Sequence, residues 1–329
     1  MKRIMCNFAA VKHHPVMPVS QFGLLPYLSY SRYLQRHFEG KMQKISVNLG
    51  LSCPNRDGRI GRGGCAYCRN DSFSPAYCHT NQSVAEQLAE GIRFFSRKYP
   101  EMRYLAYFQT FTNTYAETAE VMKRYEEALA VDGVEGLVIG TRPDCVPDTI
   151  LDALGRLATK HYVMLEYGVE CTDDVVLKRV NRGHTFAQAA DAIRRTADRG
   201  LQVGVHLIMG LPGHGLQAMR EEASTLSDLP INVVKLHQLQ IVRGTPLAAQ
   251  YEKGETQLNL FTADAYAALV VDFLERLRPD IAAERFTAQC PKSLLLAPDW
   301  GLKNYEFADL VVKEFHRRGT CQGFRYGQV

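Results

Sequence analysis

The sequence lacks any apolar run approaching the ~20 residues that a transmembrane helix needs. Its N-terminus also lacks the apolar core of a secretory signal peptide, so we expect a cytoplasmic protein with no membrane partner. Neither a Walker A motif nor a Gly-x-Gly-x-x-Gly motif occurs, which leaves nucleotide and dinucleotide binding without a motif. Acidic residues are scarce near the start, because positions 1–100 hold 5 Asp and Glu against 14 Lys and Arg. This asymmetry indicates either an anionic partner or a solvated basic surface.

After residue 40, short apolar segments alternate with amphipathic ones, which predicts strands that alternate with helices. The predicted strands are Lys44–Leu49, Tyr104–Gln109, Gly136–Gly140, Tyr162–Tyr167, Gln202–Met209 and Val233–Leu239. The helices predicted after the first five strands are Val84–Lys98, Ala116–Val131, Pro147–Thr159, Phe186–Arg199 and Gly215–Asp228. Such alternation is typical of a parallel sheet with right-handed crossovers, and its regularity favours a barrel over an open, doubly wound sheet. In such a barrel the chemistry lies at the carboxyl ends of the strands.

The pattern changes after Gly254. The segments predicted there are a helix at Thr262–Leu277, strand-like stretches at Ile281–Ala288 and Leu294–Ala297, and a helix at Glu306–Arg317. We therefore expect an α/β fold, a partial (β/α)6 TIM-like barrel with a short N-terminal arm and a C-terminal α/β extension. The expected divisions are residues 1–24 for the arm, 25–254 for the barrel with a cysteine loop at 50–80, and 255–329 for the extension packed on the barrel.

Three of the nine cysteines, Cys53, Cys65 and Cys68, have the spacing C-x11-C-x2-C. Three thiolates on one loop can hold three irons of a [4Fe–4S] cluster and leave the fourth iron open for a ligand. Glycines at 58, 61, 63 and 64 allow the loop to wrap closely around such a cluster. The alternative is a structural zinc ion, which prefers four ligands and would need Cys78 or His79 to complete the set.

Several further short motifs follow the cysteine loop in order. They are Gly140-Thr-Arg-Pro-Asp-Cys-Val-Pro-Asp148, Asn181-Arg-Gly-His184, Gly210-Leu-Pro-Gly213, Lys235-Leu-His237 and Leu295-Leu-Ala-Pro298. With the cysteine loop, this set resembles the radical S-adenosylmethionine (SAM) superfamily and, within it, the YhcC/YtqA family over roughly residues 25–320. That family is similar to the radical SAM half of the catalytic subunit of Elongator. The cysteine spacing departs from the commoner C-x3-C-x2-C of the superfamily.

The resemblance implies two cofactors, a [4Fe–4S] cluster and SAM, with Cys53, Cys65 and Cys68 as the cluster ligands. It also implies a one-electron reductant such as a flavodoxin or ferredoxin, since reductive cleavage of SAM yields methionine and a 5′-deoxyadenosyl radical. The residues that it assigns to cofactor binding are Tyr67, Gln109, Thr112, Asn113, Glu170, Arg182, Gly210 and Pro212. For Asn113 the alternative is helix capping, and Gly210–Gly213 by itself is only a tight turn.

Four residues in the strands or at their ends are the catalytic candidates: Arg142, Glu166, His206 and His237. Arg142 beside Asp144 suits a carboxylate or phosphate, the alternative being a structural ion pair. Glu166 lies inside a strand and is expected to point into the barrel, where a carboxylate needs a partner. His184 is a further candidate for contact with the substrate, and Arg285 and Lys292, which flank the last strand segment, either close the bottom of the barrel or reach an anionic substrate.

The resemblance implies tRNA as the partner and a wobble uridine side chain of the carboxymethylaminomethyl type as the target of hydrogen abstraction. Aromatic and basic residues are interleaved near the start: Tyr27, Tyr30, Arg32, Tyr33, Arg36, Phe38, Lys41 and Lys44. They would stack on bases and follow a phosphate backbone, the alternative being a short amphipathic helix packed on the barrel. Two other functions stay open, a radical SAM enzyme for a small carboxylate-bearing metabolite and a zinc-stabilised adaptor without catalytic activity.

Overall fold

The computed structural model of the chain describes residues 22–69, 75, 77–97, 101–256, 258 and 260–328, so most of the expected N-terminal arm lies outside the described residues. The strands in this part are β1 (Met42–Val47), β2 (Arg103–Phe108), β3 (Val134–Thr141), β4 (Tyr162–Glu170), β5 (Gln202–Met209), β6 (Val233–Gln238), β7 (Ile241–Val242), β8 (Ala282–Ala283) and β9 (Leu295–Ala297). Seven of them form one parallel sheet in the order β1-β2-β3-β4-β5-β6-β8, and β7 pairs with β9 antiparallel.

The sheet curls into a half-barrel, which brings its first and last strands together. Lys44 on β1 has its Nζ 2.6 Å from Oε2 of Glu284, the residue directly after β8. Ser29 adds a parallel bridge to Ala283, so the chain before β1 borders the open edge. The predicted parallel α/β half-barrel is therefore confirmed.

Helices cover the outer face of the half-barrel. Within the described residues they are α1 (Tyr30–Leu34), α2 (Val84–Ser96), α3 (Thr118–Leu129), α4 (Asp148–Ala158), α5 (Asp174–Arg179), α6 (Phe186–Ala197), α7 (Leu216–Ser227), α8 (Pro246–Glu252), α9 (Ala263–Arg276) and α10 (Asn304–Arg318). Capping boxes begin α2 at Ser83 and α6 at Thr185, because each side chain accepts a bond from the third helical N–H. None of the helices described is both long and apolar enough to cross a bilayer.

The C-terminal part departs most from the sequence prediction. The strand expected at Ile281–Ala288 is only the two residues of β8, yet it joins the main sheet as a seventh strand beside β6. The short helices α5 and α8 were not predicted, since runs of six and seven residues carry little periodicity. The division at residue 254 remains a prediction.

Inward-facing residues alternate along each strand and fill the barrel in layers. The lowest layer is apolar and contains Leu105, Val138, Met164 and Val233. Tyr30 and Tyr33 of α1 pack into the same cluster, and the Tyr33 hydroxyl donates to the side chain of Gln202, the first residue of β5. The helix α1 therefore closes the amino-terminal end of the barrel.

This packing decides between the two interpretations of the N-terminal aromatic residues. Tyr27, Tyr30 and Tyr33 are buried and cannot stack on bases. Lys44 is held in ion pairs inside the barrel, so it does not contact an RNA backbone. The alternative of a short helix packed on the barrel describes this segment.

Candidate functional site

A cavity opens at the carboxyl ends of the strands, above the charged layer of the barrel. Twelve of the predicted site residues line it: Cys53, Cys65, Tyr67, Cys68, Gln109, Thr112, Arg142, Glu166, Glu170, Arg182, His206 and His237. The fold therefore brings together in one cavity predicted residues from the cysteine loop and from five strands or the residues that follow them. Asn113, Gly210 and Pro212 are not among the lining residues.

The three cysteines share the cavity but do not form a compact single-ion site. Their sulfur atoms do not all lie within 4.8 Å of one another, whereas tetrahedral zinc with Zn–S bonds of about 2.3 Å would hold them within about 4 Å. Cys78 is occupied elsewhere, since its thiol donates to the backbone oxygen of Ser46 at 3.1 Å. This arrangement disfavours the zinc alternative and suits a larger cluster that spreads its ligands over several metal atoms.

Side chains from outside the loop contact the Cys65 sulfur. Arg182 Nη1 donates to Cys65 Sγ at 3.6 Å, and Asn55 Nδ2 approaches the same sulfur at 3.7 Å. Hydrogen bonds to a ligating sulfur stabilise its negative charge and tune the metal that it holds. The backbone N–H of Ala66 donates to Val180 at the end of α5, which fixes the loop against the barrel.

Left-handed backbone marks two of the strand ends that border the cavity. Thr110 and Phe111 after β2 have φ of +73° and +54°, and Glu170 at the end of β4 has φ of +70°. A β-branched residue such as Thr110 rarely adopts this conformation, and such strain concentrates at functional sites. At Gly168 a Cβ would lie 2.6 Å from Glu170 Oε1 and 2.7 Å from Arg182 Nη2, so only glycine allows this ion pair to approach β4.

Two buried arginines face the cysteines. Arg142 forms a bidentate ion pair with Asp144, with Nε and Nη2 each 2.9 Å from a carboxylate oxygen. Arg182 Nη2 donates to the Gly168 carbonyl at 2.5 Å and lies 3.6 Å from Glu170 Oε1. Each guanidinium keeps a buried nitrogen without a hydrogen-bond partner among the described residues, Nη1 of Arg142 and Nε of Arg182.

Other buried polar atoms around the cavity are also unsatisfied within the described part of the chain. They are Thr112 Oγ1, Glu170 Oε2 and the Tyr67 hydroxyl, and burial raises the pKa of Tyr67 well above its ordinary value. Unsatisfied buried donors and acceptors are rare in proteins and need an explanation. Both donors and acceptors are present, as a zwitterionic ligand with a hydroxylated sugar requires.

Two histidines and an arginine form a hydrogen-bonded chain along the cavity wall. Arg285 Nε donates to His237 Nε2 at 2.8 Å, and His237 Nδ1 lies 2.7 Å from His206 Nε2. His206 Nδ1 lies 3.3 Å from Glu170 Oε2. Burial lowers the pKa of His206, and burial together with His206 and Arg285 lowers the pKa of His237 well below its ordinary value.

A charged layer lies beneath these histidines. Glu166 contacts Lys235 at 2.6 Å and Lys44 at 3.3 Å, and Glu284 contacts the same two lysines. Tyr107, which the sequence analysis missed, donates to Glu166 Oε1 at 2.6 Å. Its position two residues before Gln109 on an inward-facing strand was the available signal. Burial alone would raise the pKa of Glu166, but Lys235 and Lys44 hold it well below its ordinary value.

Two of the predicted residues, Asn113 and His184, have structural contacts instead. The Asn113 amide donates to the backbone oxygens of Phe108 and Gly140, which fixes the loop after β2. The His184 ring nitrogens lie 3.2 Å from the carbonyl oxygens of Thr185 and Gly168. Burial, then Arg182, lower the pKa of His184 to about 3.

A second buried polar cluster joins the end of β4 to α7 and was also missed. His214 Nε2 lies 3.6 Å from Cys171 Sγ and 3.5 Å from Glu222 Oε1, which accepts the Thr172 N–H at 2.7 Å. Burial raises the pKa of Glu222 to about 8 and lowers that of His214 to about 4. All the ionisable groups of this cluster therefore stay uncharged at neutral pH.

Family models match most of the chain. The model described as "Radical SAM superfamily" matches residues 53–226, and that described as "Radical_SAM C-terminal domain" matches residues 231–317. The uncharacterized protein YtqA of Bacillus subtilis (strain 168) is 33% identical over 90% of this chain and 92% of its own length. Protein YhcC of Escherichia coli (strain K12) is 38% identical over 81% of this chain and 85% of its own length. These matches confirm the resemblance that the motifs carry.

More distant relatives are longer than this chain, which matches only part of their length. The tRNA uridine(34) acetyltransferase of Methanocaldococcus infernus is 25% identical over 59% of this chain but only 35% of its own length. The solved structure of the archaeal Methanocaldococcus infernus Elp3 with an N-terminal deletion has a TM-score of 0.66 and 16% identity, covering 86% of this chain and 64% of that one. At this identity the structural match supports the fold alone.

Proposed function

The chain belongs to the radical SAM superfamily, whose enzymes use a [4Fe–4S] cluster, SAM and a reductant, and from this premise we propose that it modifies tRNA. The proposed target is the side chain of a wobble uridine of the carboxymethylaminomethyl type. The proposed site of action is the cytoplasm, where cysteines such as Cys65 and Cys78, which are free thiols, stay reduced. A flavodoxin or ferredoxin would supply the electron.

The cavity fits both cofactors. Cys53, Cys65 and Cys68 would hold the cluster, because they line one cavity with sulfur atoms spread more widely than one ion allows. The unsatisfied nitrogens of Arg142 and Arg182 suit the carboxylate of SAM, and Thr112 Oγ1 and Glu170 Oε2 suit its amino and ribose groups. Once bound, this pair supplies a 5′-deoxyadenosyl radical that removes a hydrogen atom from the substrate.

The chain's own groups would position the substrate and exclude water. Buried Tyr107, Glu166 and Lys235 form a rigid polar floor, since each is hydrogen-bonded to the others. His206 is the most accessible link of the histidine chain, with 21% of its side chain exposed. We propose that it contacts the reacting side chain of the uridine, while His237 holds its ring in one orientation.

The arginines of the cysteine loop support RNA as the partner. Arg56 lines the cavity, and Arg59 and Arg62 are exposed on the same loop. The Arg59 guanidinium lies 5.6 Å from the ring of Tyr115, which presents a cation and an aromatic face together beside the site. Phosphate contacts of this kind provide most of the affinity of proteins for nucleic acid. The name of the distant tRNA uridine(34) acetyltransferase relative points to the same substrate class.

A small carboxylate-bearing metabolite is the second candidate substrate. It is favoured by the burial of Tyr27, Tyr30 and Tyr33, which removes the aromatic residues expected to stack on bases. The tRNA proposal is therefore carried by the loop arginines and not by α1.

The test is formation of 5′-deoxyadenosine by protein reconstituted anaerobically with iron and sulfide, in the presence of SAM and reductant. We expect undermodified bulk tRNA to stimulate the rate, with Cys65→Ala as the inactive control. Cleavage of SAM that is indifferent to tRNA would contradict the tRNA proposal and favour the metabolite.

A further inference from the structure

We propose that Arg285 forms a binding site for an anionic group of the substrate, a carboxylate or a phosphate, on the cavity wall made by β6 and the segment after β8. The inference rests on the proposed function only for the identity of the molecule that carries this group. It is drawn from the pairing of the charges that surround the cavity.

The two lysines of the barrel interior are already satisfied. Lys235 Nζ donates to Glu166 at 2.6 Å and to the Tyr107 hydroxyl at 3.2 Å, and it lies 3.2 Å from Glu284. Lys44 Nζ contacts the same two carboxylates and lies 4.6 Å from the ring centroid of Tyr30. Two lysines and two glutamates balance in charge, so this layer has no cation left for a ligand.

The arginines near the cysteines also have anionic neighbours. Arg142 pairs with Asp144, and Arg182 lies between Glu170 and the Cys65 sulfur. Arg56 donates to the carbonyl of Cys68, next to the cluster ligands. Arg142 and Arg182 are therefore compensated by carboxylates, whereas Arg56 lies against the cysteine loop, where the thiolates of a bound cluster would compensate it.

Arg285 is the exception among the cavity-lining basic residues described. Its Nε donates to His237, but neither terminal nitrogen has an acceptor, and no carboxylate lies within ion-pair distance among the described residues. Its positive charge thus has no ion-pair partner in the described part of the chain, and its terminal nitrogens are not among the buried unpaired atoms, so they stay accessible from the cavity. An anionic ligand would supply the missing counter-charge when it binds.

The geometry also prepares the guanidinium for bidentate binding. His237 accepts from Nε and so fixes the plane of the group, which leaves the two terminal nitrogens directed away from the ring. His237 is in turn hydrogen-bonded to His206, whose Nδ1 lies 3.3 Å from Glu170 Oε2. A carboxylate or a phosphate presents two oxygens that match this fork, whereas a neutral amide does not.

The main experiment measures binding by calorimetry to the cluster-loaded protein with SAM and without reductant. The probes are 5-carboxymethyluridine against its neutral amide, and uridine 5′-monophosphate against uridine. We expect the anionic member of one pair to bind at least about tenfold more tightly, because charge-assisted pairs are the strong ones. Preference within the first pair identifies a carboxylate, and preference within the second a phosphate.

The variants connect that preference to one residue. Arg285→Gln should abolish it, and Arg285→Lys should restore only part of it, because lysine keeps the charge but not the fork. Arg156→Gln is the matched control, since Arg156 is exposed on α4, and it should bind as the wild type does. Equal binding of the charged and neutral probes, or a preference retained by Arg285→Gln, would overturn the proposal.

A second readout is independent of uridine and so separates this inference from the proposed function. Phenylglyoxal labels arginine, and mass spectrometry reports how fast Arg285 is modified. Propionate or inorganic phosphate should slow that labelling at least severalfold, whereas propionamide should not. Protection without uridine binding would support the anion site while the tRNA proposal fails, and absence of protection would contradict the anion site itself.

Discussion

His206 Nε2 lies 2.7 Å from His237 Nδ1, and this contact joins β5 to β6 at the wall of the cavity. Because Arg285 donates to His237 Nε2, the proton of the neutral His237 ring must be on Nδ1. His237 then donates to His206 Nε2, so the proton of the neutral His206 ring is on Nδ1, which lies 3.3 Å from Glu170 Oε2. The chain of contacts thus fixes one tautomer for both rings.

Nitrogen-15 NMR of the ring nitrogens tests this assignment. We expect both histidines to be neutral Nδ1–H tautomers at pH 7, because burial lowers the pKa of each. Arg285→Gln should allow His237 to adopt the Nε2–H tautomer as well, since the substitution removes the donor to Nε2. Protonation of both rings at pH 6.5, or an Nε2–H tautomer in the wild type, would contradict the assignment.

Replacement of the clustered cysteines by alanine tests the metal site. Cys53→Ala, Cys65→Ala and Cys68→Ala should each lose most of the bound iron and reduce SAM cleavage to background. Cys78→Ala is the control, because that thiol bonds to Ser46 O and is not in the cavity. Iron and sulfide analysis measures the bound cluster in each variant. Full retention of iron by the Cys65→Ala protein would exclude Cys65 as a ligand.

The charged layer of the barrel should matter strongly for stability. Glu166→Gln leaves Lys235 and Lys44 partly unpaired in a buried site, which should cost about 3–5 kcal/mol of unfolding free energy. Glu135→Gln breaks the more exposed ion pair with Arg103 and should cost less than about 1 kcal/mol. Urea unfolding compares them, and similar losses in both variants would contradict the role given to burial.

Acid should remove the stabilisation that neutral His214 provides, whereas the neighbouring Glu222, whose pKa burial raises to about 8, changes the stability in the opposite direction. The folded-state pKa of His214 is lowered to about 4 by burial, so below the ordinary value the unfolded chain binds more protons than the folded one. The stabilisation is complete above about pH 6.5 and is lost as the pH falls towards 4, by about 1 kcal/mol at pH 5.5. Urea unfolding at pH 7.5 and 5.5 measures how the free energy of unfolding changes with pH. His214→Gln should remove the contribution of His214 from that change, and His316→Gln, on the exposed side of α10, should leave the change as it is in the wild type.

Two double variants compare the proposed RNA surface on the cysteine loop with the opposite end of the barrel. Arg59→Gln with Arg62→Gln should weaken tRNA binding roughly tenfold and lower its salt dependence. Arg32 lies on α1 and Arg36 just after it, and this helix closes the amino-terminal end of the barrel. Arg32→Gln combined with Arg36→Gln should therefore have little effect on tRNA binding. Filter binding at several salt concentrations measures both, and the reverse order would move the RNA surface to α1.

Much of this architecture follows from patterns that depend on local sequence. The strand predicted at Gln202–Met209 has its observed bounds, because apolar alternation and flanking polar residues define a half-buried strand. Glu166 was expected to face inward, and it does, since its neighbours in the strand fix the alternation. The twelve predicted residues that meet in the cavity were found through motifs at strand ends.

What the sequence did not reveal depends on contacts between distant segments. Lys44 and Glu284 pair across 240 positions, and nothing local identifies Lys44 as a partner of Glu284 or of Glu166. The two-residue β8 is stabilised by β6 beside it and not by its own pattern. The structural contacts of Asn113 and His184 likewise follow from backbone oxygens that only the folded loops bring near.

The most direct test of the proposed reaction follows hydrogen from tRNA into the product of SAM cleavage. Undermodified tRNA would be prepared from cells grown in deuterated medium and incubated with the reconstituted protein, SAM and reductant. The account predicts 5′-deoxyadenosine that gains one deuterium by mass spectrometry, with none gained from unlabelled tRNA. Turnover with deuterated tRNA that gives only unlabelled 5′-deoxyadenosine would contradict tRNA as the hydrogen donor.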